Sequence, residues 1–154
     1  MRFRQGCRLF WLAIVVFALD RATKAWSLRL SGPQEAVPGL LNFRPVRNYG
    51  AAFGMFSGRL VLLSVLVLLL CAAIVFALLR FARMPGMARA GLWMVLAGGL
   101  SNLYDRLRYG YVIDFLELDV FRFPVFNVAD VCIVAGCALA LIAIVRADGG
   151  KKHG

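Results

Sequence analysis

One uninterrupted apolar run constrains this chain more than any other feature. Residues 60–79, LVLLSVLVLLLCAAIVFALL, carry no charged side chain and lie between Arg59 and Arg80. As a helix that rises about 1.5 Å per residue, such a run covers roughly 30 Å, the thickness of the hydrocarbon core of a bilayer. The run therefore predicts a transmembrane helix.

The composition places the whole chain in the same class. Of the 154 residues, 62% are hydrophobic and 17% are charged. Soluble domains typically have roughly 45–50% apolar and about 25% charged residues. The length suggests one domain, so we expect residues 1–154 to form a single integral membrane domain.

Three further segments have the length and apolar character of membrane spans. The first of them follows a basic start, as a signal peptide does, but the sequence DRATKAW after it offers no good small-residue cleavage site, so we interpret it as a retained helix. The predicted fold is a membrane all-α domain with a small β element. The four expected spans are about 8–27, 58–80, 88–105 and 125–146.

The distribution of Lys and Arg predicts the orientation. Segments 1–8, 80–89 and 146–154 each contain three basic residues, and the longer segments on the other side have a lower density of them. Short basic loops favour the cytoplasmic side. We therefore expect both termini in the cytoplasm and residues 28–57 and 106–124 outside it.

The two outer segments have different patterns. Residues 40–56 combine patchy alternation with aromatics, a proline and glycines, which predicts short strands with a turn or bulge around Tyr49–Gly50. Residues 106–122 mix apolar and charged side chains, as in an amphipathic piece lying on the membrane surface.

Two functional classes fit the sequence poorly. The net charge of +10 comes from basic residues scattered at the ends of apolar runs, which favours membrane anchoring over nucleic-acid binding. The four cysteines form no CxxC motif, and the single histidine, His153, lies in the tail. We therefore expect no metal site and no nucleic-acid partner.

Two aspartates in apolar surroundings suggest catalysis. Asp114 lies within YVIDFL and Asp130 near the start of an apolar helix, and neither has a cation close by in the sequence. A charge at a bilayer centre costs about 2.5–3.5 kcal/mol on insertion scales, so acids near membranes usually have a partner or a function. If the two carboxyls face one another they share one proton, which is the acid–base arrangement of an aspartic protease.

The other polar residues near the membrane allow a structural or a functional interpretation. Asp20 and Lys24 are four residues apart, the spacing of a helical ion pair, and the alternative is a wall of a binding site. Asp105 shares a helical face with Asn102 and Gly98, which favours packing with an internal ion pair. Asn127 is a candidate helix cap with Asp130 at about the third helical position.

The sequence resembles lipoprotein signal peptidase, also called signal peptidase II, a bacterial membrane aspartyl protease. The matching blocks occur in the order of that family and cover about residues 8–146. They are DRATK (20–24), NYGAAFG (48–54), GGLSNLYDR (98–106) with GYVIDF (110–115), and FNVAD (126–130). Ser101 is a departure, because the family often has glycine there, and it is expected to crowd a close helix contact.

The resemblance implies roles for particular residues. Asp114 and Asp130 would form the catalytic dyad, without a metal or other cofactor. It implies a substrate site lined by Asn48, Gly50, Asn102, Arg106 and Asn127, with Asp20 and Lys24 contributing. Asp105, Gly98 and Ala129 would support the site. The 40–56 region would form a cradle on the membrane surface, and 106–122 would include a short flap-like helix.

The resemblance also implies the reaction and the location. The enzyme would act near the extracytoplasmic face of the bacterial inner membrane. It would cleave a prolipoprotein before its diacylglyceryl-modified cysteine, and globomycin-type inhibitors would occupy the same site. We expect a monomer surrounded by membrane lipids.

Two other functional classes stay open at this point. In a small transporter or proton-conducting protein, Asp20, Asp105 and Asp130 would mark a path, but the acids cluster at one end of the spans. In a structural membrane subunit, the cluster of Asn and Asp residues would have no explanation. A proton-flux assay in liposomes separates the transporter from the peptidase.

Overall fold

The computed structural model describes residues 2–50, 58–81, 84–120 and 123–149. Within them, long helices surround one small sheet. The order along the chain is α1 (Arg2–Ser27), β1 (Gln34–Val37), β2 (Leu41–Asn48), α2 (Leu60–Arg80), α3 (Gly86–Tyr109), β3 (Val112–Leu118) and α4 (Val128–Gly149).

One helix covers most of each of the four predicted spans. Among the described residues, two helical segments, Leu60–Arg80 and Val128–Ala147, are long and apolar enough to cross a membrane. Helix α2 leaves large apolar side chains exposed, including Val61 at 76% and Leu79 at 79%. In water such a surface would be unfavourable, whereas lipid solvates it. Helices α1 and α3 carry more charge, and three of their charged side chains, Asp20, Lys24 and Asp105, are buried and paired where the two helices meet.

Helix α3 packs against α1, α2 and α4. Its closest approach is to α4, where small residues face each other. A Cβ atom added at Gly98 would lie 2.6 Å from the carbonyl oxygen of Ala129, and one added at Gly136 would lie 2.5 Å from that of Gly91. Gly91 and Gly98 are seven residues apart on α3, and so are Ala129 and Gly136 on α4, which is about two helical turns. The two contacts therefore belong to one seam of small residues along which the two backbones touch.

The sheet is antiparallel, with the strand order β1-β2-β3. Leu41 pairs with Leu118 and Asn48 with Val112, and the register of β2 shifts between Phe43 and Val46. Pro45 lies in this interval and has no N–H to donate to the ladder, which explains the bulge there. Strand β2 confirms the prediction of a strand within 40–56, but its bulge lies between Phe43 and Val46 and not around Tyr49–Gly50. Strand β1 lies before that region, and residues 51–57 lie outside the described part.

The prediction for 106–122 is wrong over most of its described length. Helix α3 continues to Tyr109 and ends at Gly110, whose φ of 80° suits glycine. Residues 112–118 then form strand β3 instead of an amphipathic surface piece with a short helix. The β-branched Val112 and Ile113 favour a strand, and pairing with β2 stabilises it.

The seam between α3 and α4 gives a test of the packing. We expect Gly98→Ala to lower the stability by about 1–3 kcal/mol, because the new methyl group meets the backbone of α4. Gly86→Ala is the matched control, since a Cβ atom there meets nothing within 4 Å. Thermal unfolding in detergent measures both, and equal melting temperatures for the two variants would contradict the close contact.

Candidate active site

Helix α4 begins with a reciprocal cap that positions Asp130. The side-chain Oδ1 of Asn127 accepts a hydrogen bond from the backbone N–H of Asp130 at 2.9 Å. In return, the backbone N–H of Asn127 donates to Oδ2 of Asp130 at 3.2 Å. This is a capping box with Asp at the third helical position, and it satisfies two N–H groups that the helix leaves unpaired. The cap therefore holds the Asp130 carboxylate in place.

The same asparagine also holds Asp114. Its side-chain Nδ2 donates to Oδ1 of Asp114 at 2.6 Å, and Nδ2 of Asn48 donates to Oδ2 of Asp114 at 2.8 Å. Asn127 is fully buried and Asp114 is 2% exposed. One amide group thus binds Asp114 with its nitrogen and the start of α4 with its oxygen. The two aspartates that the sequence singled out meet at this residue.

Strand pairing brings the two segments together. The backbone N–H of Leu116 donates to the carbonyl oxygen of Phe126 at 2.8 Å, and the N–H of Phe126 donates back to Leu116 at 3.0 Å. This isolated bridge fixes residue 126 beside β3. Asn127, the next residue, then lies within reach of Asp114.

A second amide, Asn102 of α3, orients Asp130 from the other side. Its Nδ2 donates to Oδ1 of Asp130 at 2.8 Å. Its oxygen accepts hydrogen bonds from Lys24 Nζ at 2.8 Å and from Asn127 Nδ2 at 3.1 Å. With cationic Lys24 on the oxygen, the Asn102 nitrogen must point at Asp130. Lys24 thereby determines which way this amide faces.

Lys24 belongs to a buried network of charges between α1 and α3. Its Nζ lies 2.9 Å from Asp20 and 2.8 Å from Asp105, and Arg21 also pairs with both acids. Asp20, Lys24 and Asp105 are at most 1% exposed. The helical pair of Asp20 and Lys24 is therefore present. Asp105 pairs with α1 and not with Arg106 or Arg108, its neighbours in the sequence.

The network reaches the site through two backbone contacts. Oδ1 of Asp20 accepts the N–H of Ala129 at 2.8 Å, and Oδ2 of Asp105 accepts the N–H of Ile113 at 3.2 Å. Ala129 directly precedes Asp130, and Ile113 directly precedes Asp114. Each aspartate of the site is thus flanked by a residue that the charge network holds.

Arg106 and Gly50 lie on another side of the site. Arg106 Nη2 donates to the carbonyl oxygen of Gly50 at 3.2 Å. The Gly50 N–H in turn donates to Oδ1 of Asn48 at 2.9 Å, which forms a side-chain turn. This turn leaves the Asn48 amide nitrogen free to donate to Asp114.

Two residues of this region were missed or misjudged from the sequence. Arg21 was not proposed, since a position next to Asp20 gives no sign that it reaches Asp105. Ser101 was expected to crowd a helix contact, but its buried hydroxyl donates a hydrogen bond to Oδ2 of Asp20 at 2.7 Å. Neither contact has a signal in local spacing, because both join separate helices.

Burial raises the pKa of Asp114. The negative charge of Asp130 raises this pKa further, to about 7, although hydrogen bonds from Asn48 and Asn127 and the charge of Lys24 act in the opposite direction. The folded protein thus holds a proton here near neutral pH, as a pair of neighbouring acids requires. Among the described residues, no group of His, Cys, Asp and Glu side chains could hold a metal ion.

The raised pKa of Asp114 predicts a pH-dependent stability. The folded protein binds a proton that the unfolded chain, with an ordinary pKa of 3.8, has released. The contribution of Asp114 to stability therefore falls as the pH rises from about 3.8 towards about 7 and is constant above that. Asp114→Asn carries no such proton, so its stability relative to wild type should increase by about 2–3 kcal/mol between about pH 5 and about pH 8. Thermal unfolding in detergent measures this difference, and a pH-independent difference would contradict the assignment.

A comparison with known protein families shows which family the chain belongs to. The family model described as "Signal peptidase (SPase) II" matches residues 12–146, which include all of the site described above. This chain belongs to the signal peptidase II family. The assignment agrees with the resemblance seen in the sequence, and the family is one of aspartic peptidases.

Individual relatives cover nearly the whole chain. A lipoprotein signal peptidase of Clostridium acetobutylicum is 41% identical over 142 residues, which is 88% of this chain and 92% of the relative. One of Clostridium novyi is 36% identical over 86% of this chain and 95% of its own.

Solved structures agree with the fold of this signal peptidase II. One bacterial membrane enzyme superposes with a TM-score of 0.87 at 27% identity, covering 96% of this chain and 93% of its own. A second superposes with a TM-score of 0.81 at 28% identity, covering 89% and 92%.

Proposed function

We propose that Asp114 and Asp130 are the catalytic dyad with which this signal peptidase removes signal peptides from prolipoproteins. The observation that carries the proposal is the Asn127 side chain. It donates to Asp114 and caps the turn that carries Asp130, so that both carboxyls lie at one amide. No positive side chain forms an ion pair with either acid among the residues that the structure describes, in contrast to Asp20 and Asp105.

Such a pair can divide the hydrolysis of a peptide bond between its members. The ionised carboxylate takes a proton from water as the water oxygen attacks the scissile carbonyl carbon. The protonated carboxyl donates its proton to the carbonyl oxygen, which gives a tetrahedral diol. The carboxyl that took the proton from water then gives it to the leaving nitrogen as the C–N bond breaks, and the other carboxylate takes back a proton from the diol. Asp130 is only partly buried, so the site is open on its side. The donors Asn48, Asn102 and Asn127 keep both groups in place during the exchange.

The proposed substrate is a prolipoprotein whose cysteine carries a diacylglyceryl group. The enzyme hydrolyses the bond before this cysteine, which frees a signal peptide and a lipoprotein with a lipid-modified N-terminal cysteine. The lipid anchor would hold the scissile bond at the membrane surface, and such positioning contributes to the rate. Cyclic peptides of the globomycin type would compete for the same site, and we propose that the enzyme works as a monomer.

We propose different roles for the residues that surround the two aspartates. Asn48, Gly50 and Arg106 border the open side, where a peptide can bind. Asp20 and Lys24 are fully buried, so they would act through Ala129 and Asn102 and not by touching the peptide. Asp105 would support β3 through Ile113, and Gly98 would let α4 approach α3.

We further propose that all four helices span the inner membrane. With 26 and 24 residues, α1 and α3 are longer than the roughly 20 that a bilayer core requires. Their buried acids and bases are paired with one another near one end of each helix, so no isolated charge has to enter the lipid. Both termini would then be cytoplasmic, and the sheet and the dyad would lie near the outer face.

The dyad is tested with two conservative variants and a control. Asp114→Asn and Asp130→Asn should each fold and lose at least about 1000-fold in kcat, since neither can complete the proton exchange. Asp119→Asn, which changes an exposed acid just after β3, should cleave like wild type. Cleavage of a diacylglyceryl-modified precursor is followed by a gel shift with purified protein. Normal cleavage by either dyad variant would refute the assignment.

The topology is tested with reporter fusions. Green fluorescent protein at the C-terminus should fluoresce, because it folds in the cytoplasm. Alkaline phosphatase fused after Gly39, between β1 and β2, should be active, because it needs the extracytoplasmic side. Active alkaline phosphatase at the C-terminus would show an odd number of spans or the opposite orientation.

A further inference from the structure

Ser101 links three helices at a point close to the proposed dyad. It lies on α3 and is fully buried, and its hydroxyl donates to Oδ2 of Asp20 on α1 at 2.7 Å. The other oxygen of Asp20, Oδ1, accepts the backbone N–H of Ala129 on α4 at 2.8 Å. Two consecutive hydrogen bonds thus connect Ser101 through Asp20 to Ala129, the residue before Asp130.

The residue after Ser101 reaches the same carboxylate directly. Asn102 donates its Nδ2 to Oδ1 of Asp130 at 2.8 Å. Two consecutive residues of α3 therefore act on Asp130 from different directions. Asn102 holds the carboxylate itself, and Ser101 acts on the backbone that carries it.

Asp20 has two further side-chain donors. Lys24 and Arg21 also contact Oδ2, at 2.9 Å and 3.0 Å, but they lie on the same helix as Asp20. Among the residues that the structure describes, Ser101 is the donor from α3 to Asp20. Lys24 and Arg21 link Asp20 to Asp105 of α3 only through their own long side chains, whereas Ser101 joins the Asp20 carboxylate to α3 in one hydrogen bond and so helps to keep Oδ1 directed at α4.

We propose that Ser101 is a positioning residue for Asp130, acting through Asp20 and the Ala129 N–H. The role rests on the proposed assignment of Asp130 to the dyad. It concerns a position at which the sequence predicted only a crowded contact. Ser101 does not touch the substrate, so its removal should affect the rate of the reaction and not the binding of the precursor.

Ser101→Ala in the full-length enzyme tests this role. We expect kcat for a diacylglyceryl-modified precursor to fall by about three- to tenfold, with KM unchanged, because a small displacement of a reacting group slows chemistry without weakening remote binding. Ser101→Cys serves as a second variant. It keeps the size of the side chain with a much weaker donor, and it replaces the alanine variant if that one fails to fold.

Ser27→Ala is the matched control. Ser27 is also a fully buried serine, but its hydroxyl donates to the carbonyl oxygen of Lys24 in its own helix, at 2.9 Å. Its kcat and KM should equal those of wild type, and melting temperatures in detergent compare the stability of the two alanine variants.

The outcomes separate this proposal from the proposed function. A fall in kcat of less than about threefold for Ser101→Ala, a rise in KM in its place, or an equal loss in Ser27→Ala would overturn the positioning role. In all three cases the wild-type protein still cleaves the precursor. Failure of wild-type protein to cleave the precursor would instead contradict the proposed function itself.

Discussion

The side chain of Asn127 is the interaction on which the site depends. An amide has an acceptor and a donor at one end of a short side chain, and here both are used. The oxygen accepts the N–H of Asp130 at the start of α4, and the nitrogen donates to Asp114 on β3. Aspartate at this position would lack the donor and would place a third negative charge between two others. Serine would be too short to reach both partners.

The structure separates the acids near the membrane into two groups. The negative charges of Asp20 and Asp105 are balanced, because Arg21 and Lys24 each form ion pairs with both carboxylates. Removal of one member would leave a buried charge without a partner, which is strongly destabilising. Asp114 and Asp130 receive hydrogen bonds from neutral amides, and the pKa of Asp114 rises accordingly. The first group can hold the helices together, while Asp114 in the second, with a pKa of about 7, can exchange a proton near neutral pH.

Much of this could be predicted from local patterns. The uncharged run at 60–79 predicted α2, and the alternation in 40–56 predicted the strand β2, although its bulge lies between Phe43 and Val46 and not around Tyr49–Gly50. The spacing of Asn127 and Asp130 predicted the cap. The prediction failed at 112–118, since a short mixed segment between helices is compatible with a surface piece or with a strand. The presence of β2 as a pairing partner decides between them. Ser101 was misjudged because its partner, Asp20, is 81 residues away.

The sequence by itself determined that this chain belongs in a membrane, that it is largely helical, and which aspartates lie in apolar surroundings. It could do so because hydrophobicity, periodicity and residue type are local properties. Only the tertiary structure decided which of these acids form ion pairs and which, among the described residues, form none. Arg21 and Lys24 could have formed ion pairs with any nearby carboxylate. Because α1 packs against α3, they pair with Asp20 and Asp105. The contact of β3 with residue 126 then brings the two remaining aspartates to one asparagine, because strand pairing joins segments whose proximity no local pattern encodes.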